Sequence, residues 1–292
     1  MNLLLRAIVI SYLLSLLFAC NTINPEEDIP AYLQIDTINF VATNPTYGTS
    51  NHKIVEAWVS VDGVFLGVYD LPATIPVLAS GTADIRIRAG IKDNGIGRLP
   101  EIYPFFQPYD VTRELVPAEI IKLNPSVSYR EDINFAFVEE FEAGDGFFID
   151  DLDGNDSTRL VLSTVDAFEG NGSGLIQLTA SNPVAELATD FNSRLKDLQT
   201  RGVEVYLEVN YRTDVEVAFG VIGHDAGIFS PIDKVYEPIL FPKATWNKVY
   251  LNLSQAVFDV RGEEYQIVIF TALAPGQTTG FVQLDNMKLI HF

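Results

Sequence analysis

The sequence predicts an all-β protein organised as two β-sandwich domains, and three observations carry that expectation. Apolar and polar residues alternate over short runs such as "IVEAWVSV" and "ADIRIRAGI", the period of a half-buried strand. Gly, Pro, Asn and Asp break these runs at short intervals, as turns require. The chain has 292 residues, more than one average domain, and shows no heptads, low-complexity tracts or repeats that would argue for another architecture.

The first element lies outside both domains. Residues 7–19, "AIVISYLLSLLFA", are an uncharged apolar run preceded by Arg6. That length suits the h-region of a signal peptide and falls short of a helix crossing a bilayer of about 30 Å. Leu17-Phe18-Ala19-Cys20 resembles the lipobox of bacterial lipoproteins. The resemblance implies removal of residues 1–19 and a covalent lipid on Cys20, which would anchor the chain in the lipid bilayer. Cys20 is the one cysteine of the sequence, so a disulfide within the chain is excluded.

Residues 20–30 then read as a polar tether. Its acids Glu26, Glu27 and Asp28 are either a solvated linker or resemble acidic export signals that follow the lipidated cysteine in some diderm bacteria. The second reading implies an outer-membrane lipoprotein exposed at the cell surface. The full chain carries a formal charge of −20, and loss of Arg6 makes it one unit more negative. Such a surface repels phosphate backbones, and nucleic acid is not an expected partner.

The first domain is expected over residues 31–130. In "IVEAWVSVDGVFLGVYDLP", Val55, Ala57, Val59 and Val61 share a face, and Asp62-Gly63 supplies a two-residue turn. Pairing Val61 with Val64 places Leu66 opposite Val59, Val68 opposite Ala57, and Trp58 opposite Gly67. "SGTADIRIRAGI" follows as another strand with Arg86 and Arg88 on one face. The strand with Val-Asp-Gly, the partner ending in Gly, the Pro-marked turn and Gly81 before the next strand resemble the PEGA family over residues 55–90. That family consists of small β-sandwich modules of bacterial surface proteins. The aromatic loop "YPFFQPY" either forms a surface platform or packs against the second domain.

The second domain is expected over residues 131–292. Asp151, Asp153, Asn155 and Asp156 have the composition of a calcium loop. An EF-hand is excluded, because Asp156 stands where Gly is required and Leu162 where Glu is required. An acidic surface turn is the expectation there. In "GVEVYLEVNYRTDVEVAFGVI", Val203, Val205, Leu207, Val209 and Tyr211 share parity with Val215, Val217, Phe219 and Val221 across a three-residue loop, Arg212–Asp214. A hairpin with that register leaves Glu204, Tyr206, Glu208, Asn210 and Glu216 on the opposite face.

"FEAGDG", "EGNGSGLIQL", this central segment, "TWNKVYLNL" and "VQLDNMKLI" together resemble the galactose-binding-like jelly roll of many carbohydrate-binding modules. The resemblance implies a structural calcium ion held by Glu142, Asp285 and carbonyls of the loop Glu169–Gly174, with acids that hold no metal as the alternative. "AELATDFNSRLKDLQ" spaces Leu187, Phe191, Leu195 and Leu198 as a short amphipathic helix would, whereas the jelly roll implies strand and loop there.

Little in the chain suits catalysis. His52, His224 and His291 are isolated, and "NGSGL" fails the G-x-S-x-G pattern, so no enzyme is expected. Two functions remain. One is a surface lipoprotein binding glycan, with Tyr206, Glu208 and Asn210 on the outward face and Trp246 as a further stacking ring. The other is a non-enzymatic accessory subunit or adhesin holding an envelope protein. An exposed aromatic strip beside polar groups favours the first, and a broad apolar patch the second.

Overall fold

The computed structural model describes residues 27–97, 99–142, 146–198 and 204–292, so Cys20 and the signal segment lie outside the described residues. Ten strands form the first domain: β1 (Ala31–Ile35), β2 (Asn39–Phe40), β3 (Glu56–Val61), β4 (Val64–Asp70), β5 (Ala73–Val77), β6 (Gly81–Lys92), β7 (Pro100–Ile102), β8 (Tyr109–Leu115), β9 (Ile120–Leu123) and β10 (Ser126–Val127). One layer is β5-β1-β9. The other is β4-β3-β6, with β7 and β8 both paired to β6, and β2 and β10 form a small ribbon. Alternation produces the core directly: Leu33, Ile75, Val59, Ile85 and Ile87 turn inward from the two layers and are buried.

The first hairpin forms with one correction. Val61 pairs with Val64 across the Asp62-Gly63 turn, where both residues have positive φ (48° and 78°). A bulge then shifts the register, so Gly67 faces Val59 and Trp58 faces Val68. Gly67 takes φ 154°, a conformation open to glycine, which lets the edge strand carry the extra residue.

The second domain contains β11 (Asn134–Glu139), β12 (Asp150–Asp151), β13 (Val161–Ser163), β14 (Ser173–Thr179), β15 (Val184–Ala188), β16 (Val205–Thr213), β17 (Val217–His224), β18 (Asp233–Leu240), β19 (Lys243–Asn252), a helix α1 (Ser254–Val260), β20 (Glu264–Ala272) and β21 (Thr279–His291). A six-stranded sheet, β13-β14-β21-β16-β19 with β11 also on β21, packs over a five-stranded sheet, β12-β15-β20-β17-β18. From β14 to β17 the chain changes sheet at every connection, and the result is a jelly roll.

That topology corrects the expected second hairpin. β16 and β17 do not pair; they lie in opposite sheets. Val205, Leu207 and Val209 meet Val217, Phe219 and Val221 face to face across the sandwich. Shared parity fits two strands facing each other as well as two strands side by side. The segment from Leu187 to Leu198 forms β15, a 3-10 turn at Phe191–Ser193 and a bridge from Leu195 to Tyr265, so strand and loop replace the helix. The 151–156 segment folds as an acidic turn, with Asp151 Oδ1 accepting from the Gly154 and Asn155 amides at 2.9 and 3.3 Å.

The outer face of the six-stranded sheet carries the larger correction. Tyr206, Glu208 and Asn210 were expected in solvent, and each is only 1 % exposed. The loop with Tyr103, Phe105 and Phe106 lies over this face, so the aromatic segment packs between the domains. Tyr103 meets Tyr206 at 5.4 Å and 89°, and Tyr250 at 4.7 Å between ring centroids. Glu208 Oε1 accepts from the Tyr103 and Tyr129 hydroxyls at 2.8 and 2.7 Å, and Lys248 Nζ lies 2.8 Å from Oε2.

Tyr206→Ala is therefore expected to destabilise the protein by about 2–5 kcal/mol, in the range of a core truncation such as Leu207→Ala. Chemical denaturation of the two variants checks this, and a silent Tyr206→Ala would contradict the buried interface.

Candidate functional site

The residues expected to bind ligand divide by location. Tyr206, Glu208 and Asn210 are covered by the first domain or by neighbouring loops and offer no surface to a sugar. Both side-chain polar atoms of Asn210 are buried without a hydrogen-bond partner. Trp246 is half-buried; its ring meets Phe168 edge-on at 5.9 Å, and Arg212 lies 5.9 Å from its centroid. It packs beneath the 165–172 loop rather than forming an open platform.

Glu142 and Asp285 do converge on the glycine-rich loop, as the jelly-roll resemblance implied, but with the opposite polarity. Glu142 accepts from Asn171 N at 2.7 Å, Asn171 Nδ2 at 3.1 Å and Gly172 N at 3.3 Å. These hydrogen bonds hold its carboxyl below the usual carboxylate range. Asp285 accepts from Phe168 N at 2.9 Å, Glu169 N at 3.1 Å and Asn286 N at 2.8 Å. Burial still pushes its pKa up to about 6 against those bonds. Calcium takes six to eight oxygens. Here the two carboxylates are engaged by N–H donors, and the described residues contain no group of three metal-capable side chains. This donor set does not fit a calcium ion.

An exposed aromatic site forms elsewhere, at one end of the sandwich. Asp190 caps the 3-10 turn by accepting from Asn192 N at 2.9 Å, which presents Phe191. Phe191 N donates to Asp150 Oδ2 at 2.8 Å, and Gln266 Nε2 donates to the same oxygen at 2.8 Å. Gln266 Oε1 in turn accepts from His224 Nε2 at 2.9 Å. Burial lowers the His224 pKa below its usual value, which favours the neutral ring. A buried polar chain therefore holds Phe191 from behind.

Arg194 holds it from the side. Its guanidinium lies 4.1 Å from the Phe191 centroid, Nη1 donates to Phe191 O at 3.1 Å, and Nε donates to Glu264 Oε2 at 2.7 Å. On this support Phe229 stacks against Phe191, with centroids 5.3 Å apart and planes 15° apart, yet remains 81 % exposed. Phe191, Asn192, Arg194, Gly227 and Phe229 line a cleft of about 220 Å³. A larger groove of about 660 Å³ at the domain junction is lined by Asp93, Asn94, Glu204, Glu237 and Asn252 among others, and no aromatic ring lines it.

The sequence reading missed Phe229. The available signal was "DAGIFSPID", a loop marked by Gly, Pro and Asp that nonetheless carries Ile228 and Phe229.

No protein-family model matches the chain, and no curated protein matches it. Solved structures similar to it are β-sandwich carbohydrate-binding modules. A xylan-binding domain, CBM22-1, from Paenibacillus barcinonensis is 13 % identical over 54 % of this chain and 94 % of that one, with a TM-score of 0.37. A structure concerning promiscuous specificity in carbohydrate-binding modules of the β-sandwich superfamily is 12 % identical over 91 % and 99 %, with a TM-score of 0.35. A family 11 module from Clostridium thermocellum, in complex with a β-1,3-1,4-mixed-linked tetrasaccharide, is 10 % identical over 49 % and 94 %, with a TM-score of 0.32.

The amide-filled carboxylates generate a direct expectation. The melting temperature should be the same in EDTA and in millimolar Ca²⁺, because no ion is linked to folding through Glu142 and Asp285. A chelator-induced drop restored by Ca²⁺, and abolished in Glu142→Gln, would show that the loop rearranges around a metal.

Proposed function

We propose that this chain is a lipid-anchored outer-membrane protein, exposed at the cell surface, that binds glycan through its C-terminal jelly roll and does not cleave it. In this reading Cys20 carries the lipid, residues 20–30 are the tether, and a PEGA-like first domain is locked to the binding module. The observation that carries it is Phe229: a large apolar ring, 81 % exposed, held flat by Phe191 behind it. A sugar's C–H face can cover such a ring, while Asn192 and the remaining N–H groups of Arg194 address hydroxyls at the rim. The cleft of about 220 Å³ is smaller than the ~300–1,000 Å³ of drug-sized sites and suits a single sugar ring.

A protein partner is the second reading, because Ile228 (51 % exposed) and Ile232 (47 % exposed) extend the apolar surface beside Phe229.

A glycan array followed by calorimetry on the strongest hit separates the two. Phe229→Ala is expected to weaken sugar binding by roughly 1 kcal/mol or more through lost aromatic contact. The same change should leave stability within about 0.5 kcal/mol. If the array is blank and Phe229→Ala instead loses a protein captured from envelope extracts, the second reading replaces the first. The anchor is tested separately: Cys20→Ala should yield an uncleaved or soluble species without metabolically labelled lipid, and continued cleavage with salt-resistant membrane attachment would refute it.

A further inference from the structure

The outer face of the first domain presents a second site, independent of the Phe229 cleft. β6 alternates buried and exposed positions, so Ile85 and Ile87 enter the core while Arg86 and Arg88 turn to solvent. Across the sheet Arg86 faces Ser60 on β3 and Asp110 on β8, and Arg88 faces Trp58. Ser60, Arg86, Arg88, Asp110 and Thr112 border a groove of about 590 Å³. Trp58 stacks on Phe65 with centroids 5.7 Å apart and planes 29° apart, and Phe65 is 55 % exposed. The indole leans over Gly90, where an added Cβ would come within 3.0 Å of its ring. Glycine at that position gives the ring its place on the face.

The two arginines are in different states. Arg86 is forked onto Asp110, with Nε to Oδ1 at 2.7 Å and Nη2 to Oδ2 at 2.9 Å. Arg88 makes no ion pair among the described residues, although the chain holds 39 acids against 19 bases. A guanidinium with no ion pair among the described residues, its nearest acid Asp110 already forked onto Arg86, beside an indole and a groove edged with hydroxyls, is equipped for an external anion.

We propose that this groove binds the carboxylate of a uronic-acid-bearing polysaccharide, with Arg88 as its anchor. A planar guanidinium matches a planar carboxylate through two parallel hydrogen bonds. Ser60 can donate to or accept from a sugar hydroxyl. Thr112 accepts only, since its proton goes to Asp84 at 2.6 Å. The acids Asp84 and Asp110 favour a carboxylate over a phosphate dianion, because repulsion grows with ligand charge. Arg86, neutralised by Asp110, holds the groove wall in position.

Calorimetry on the full chain tests this with oligogalacturonate, oligoguluronate and oligoglucuronate, each beside its methyl ester, which keeps the shape and removes the charge. At least one acid form should bind, its ester should bind at least tenfold more weakly, and added salt should weaken the acid form. Arg88→Ala should lower affinity at least tenfold, and Arg88→Lys should restore only part of it, because an ammonium cannot make the fork. Phe229→Ala should leave uronate binding unchanged, so this site and the jelly-roll cleft can fail separately. Melting temperatures of the Arg88 variants confirm that they fold, as exposed substitutions should. The proposal is overturned if no uronate binds, if ester and acid bind equally, or if both Arg88 variants bind like the parent. Inorganic phosphate binding as tightly as the best uronate, and lost in Arg88→Ala, would also overturn it.

Discussion

The buried carboxylate of Glu208 is the constraint on which the arrangement of the two domains depends. It sits on the outer face of the six-stranded sheet, 1 % exposed, and must be satisfied inside the protein. Burial alone would raise its pKa, but Lys248, Lys288 and the hydrogen bonds around it outweigh burial and lower it. Two of its donors, Tyr103 and Tyr129, come from the first domain. Burial, reinforced by the neighbouring carboxylate, raises both phenols well above their usual range, so they keep their protons and go on donating. Separating the domains would give the carboxylate water in place of these donors, whereas losing a donor with the interface closed would leave a buried charge under-bonded, at a cost of about 1–3 kcal/mol or more.

Lys288 shows the same constraint from the cationic side. It is 0 % exposed and donates to Thr49 O at 2.7 Å, with the rings of Tyr129 and Phe40 lying 5.5 and 6.0 Å from Nζ. Burial pulls its pKa down to about 8, although Glu208 works against the shift. Because the folded value lies below the unfolded one, the cost of this charge is fully present below pH 8. It is relieved as pH rises from there towards the ordinary lysine value. Replacing such a cluster by an apolar core of equal volume is often neutral or stabilising. The aromatic loop around Tyr103 supplies the apolar contact across the junction.

The two surfaces proposed for recognition differ in chemistry. The Phe191–Phe229 ledge on the jelly roll is apolar and braced from behind by Asp150, Gln266 and His224. The β3-β6-β8 face of the first domain is polar and holds Arg88 without an ion pair among the described residues, in a chain of net charge −20. Arg88 stands on a strand and Phe191 on a capped turn, whereas Phe229 lies in the 225–232 loop and is placed by its stacking on Phe191. If both surfaces bind as proposed, a polymer long enough to span them would gain from linked binding.

Alternation by itself determined several strands, among them β3, β6 and β16, their inward residues, and the first hairpin as far as the bulge before Gly67. Those features follow from local geometry, since successive side chains in a strand point to opposite faces. Tertiary structure alone decided what lies against each outward face. Tyr206, Glu208 and Asn210 read as a solvated face because a polar row has the same composition whether water or another domain covers it. The parity of β16 and β17 likewise could not separate pairing strands from facing strands, because both place the same residues in one core. Glu142 and Asp285, read as calcium ligands, each accept from amides of the glycine-rich loop. Whether its carbonyls or its amides pointed inward depended on the loop's backbone turn, which residue types do not encode. For Phe229 the sequence offered only an apolar pair in a Gly- and Pro-marked loop; its support comes from Phe191, a residue distant in sequence, brought to the same end of the sandwich by the fold.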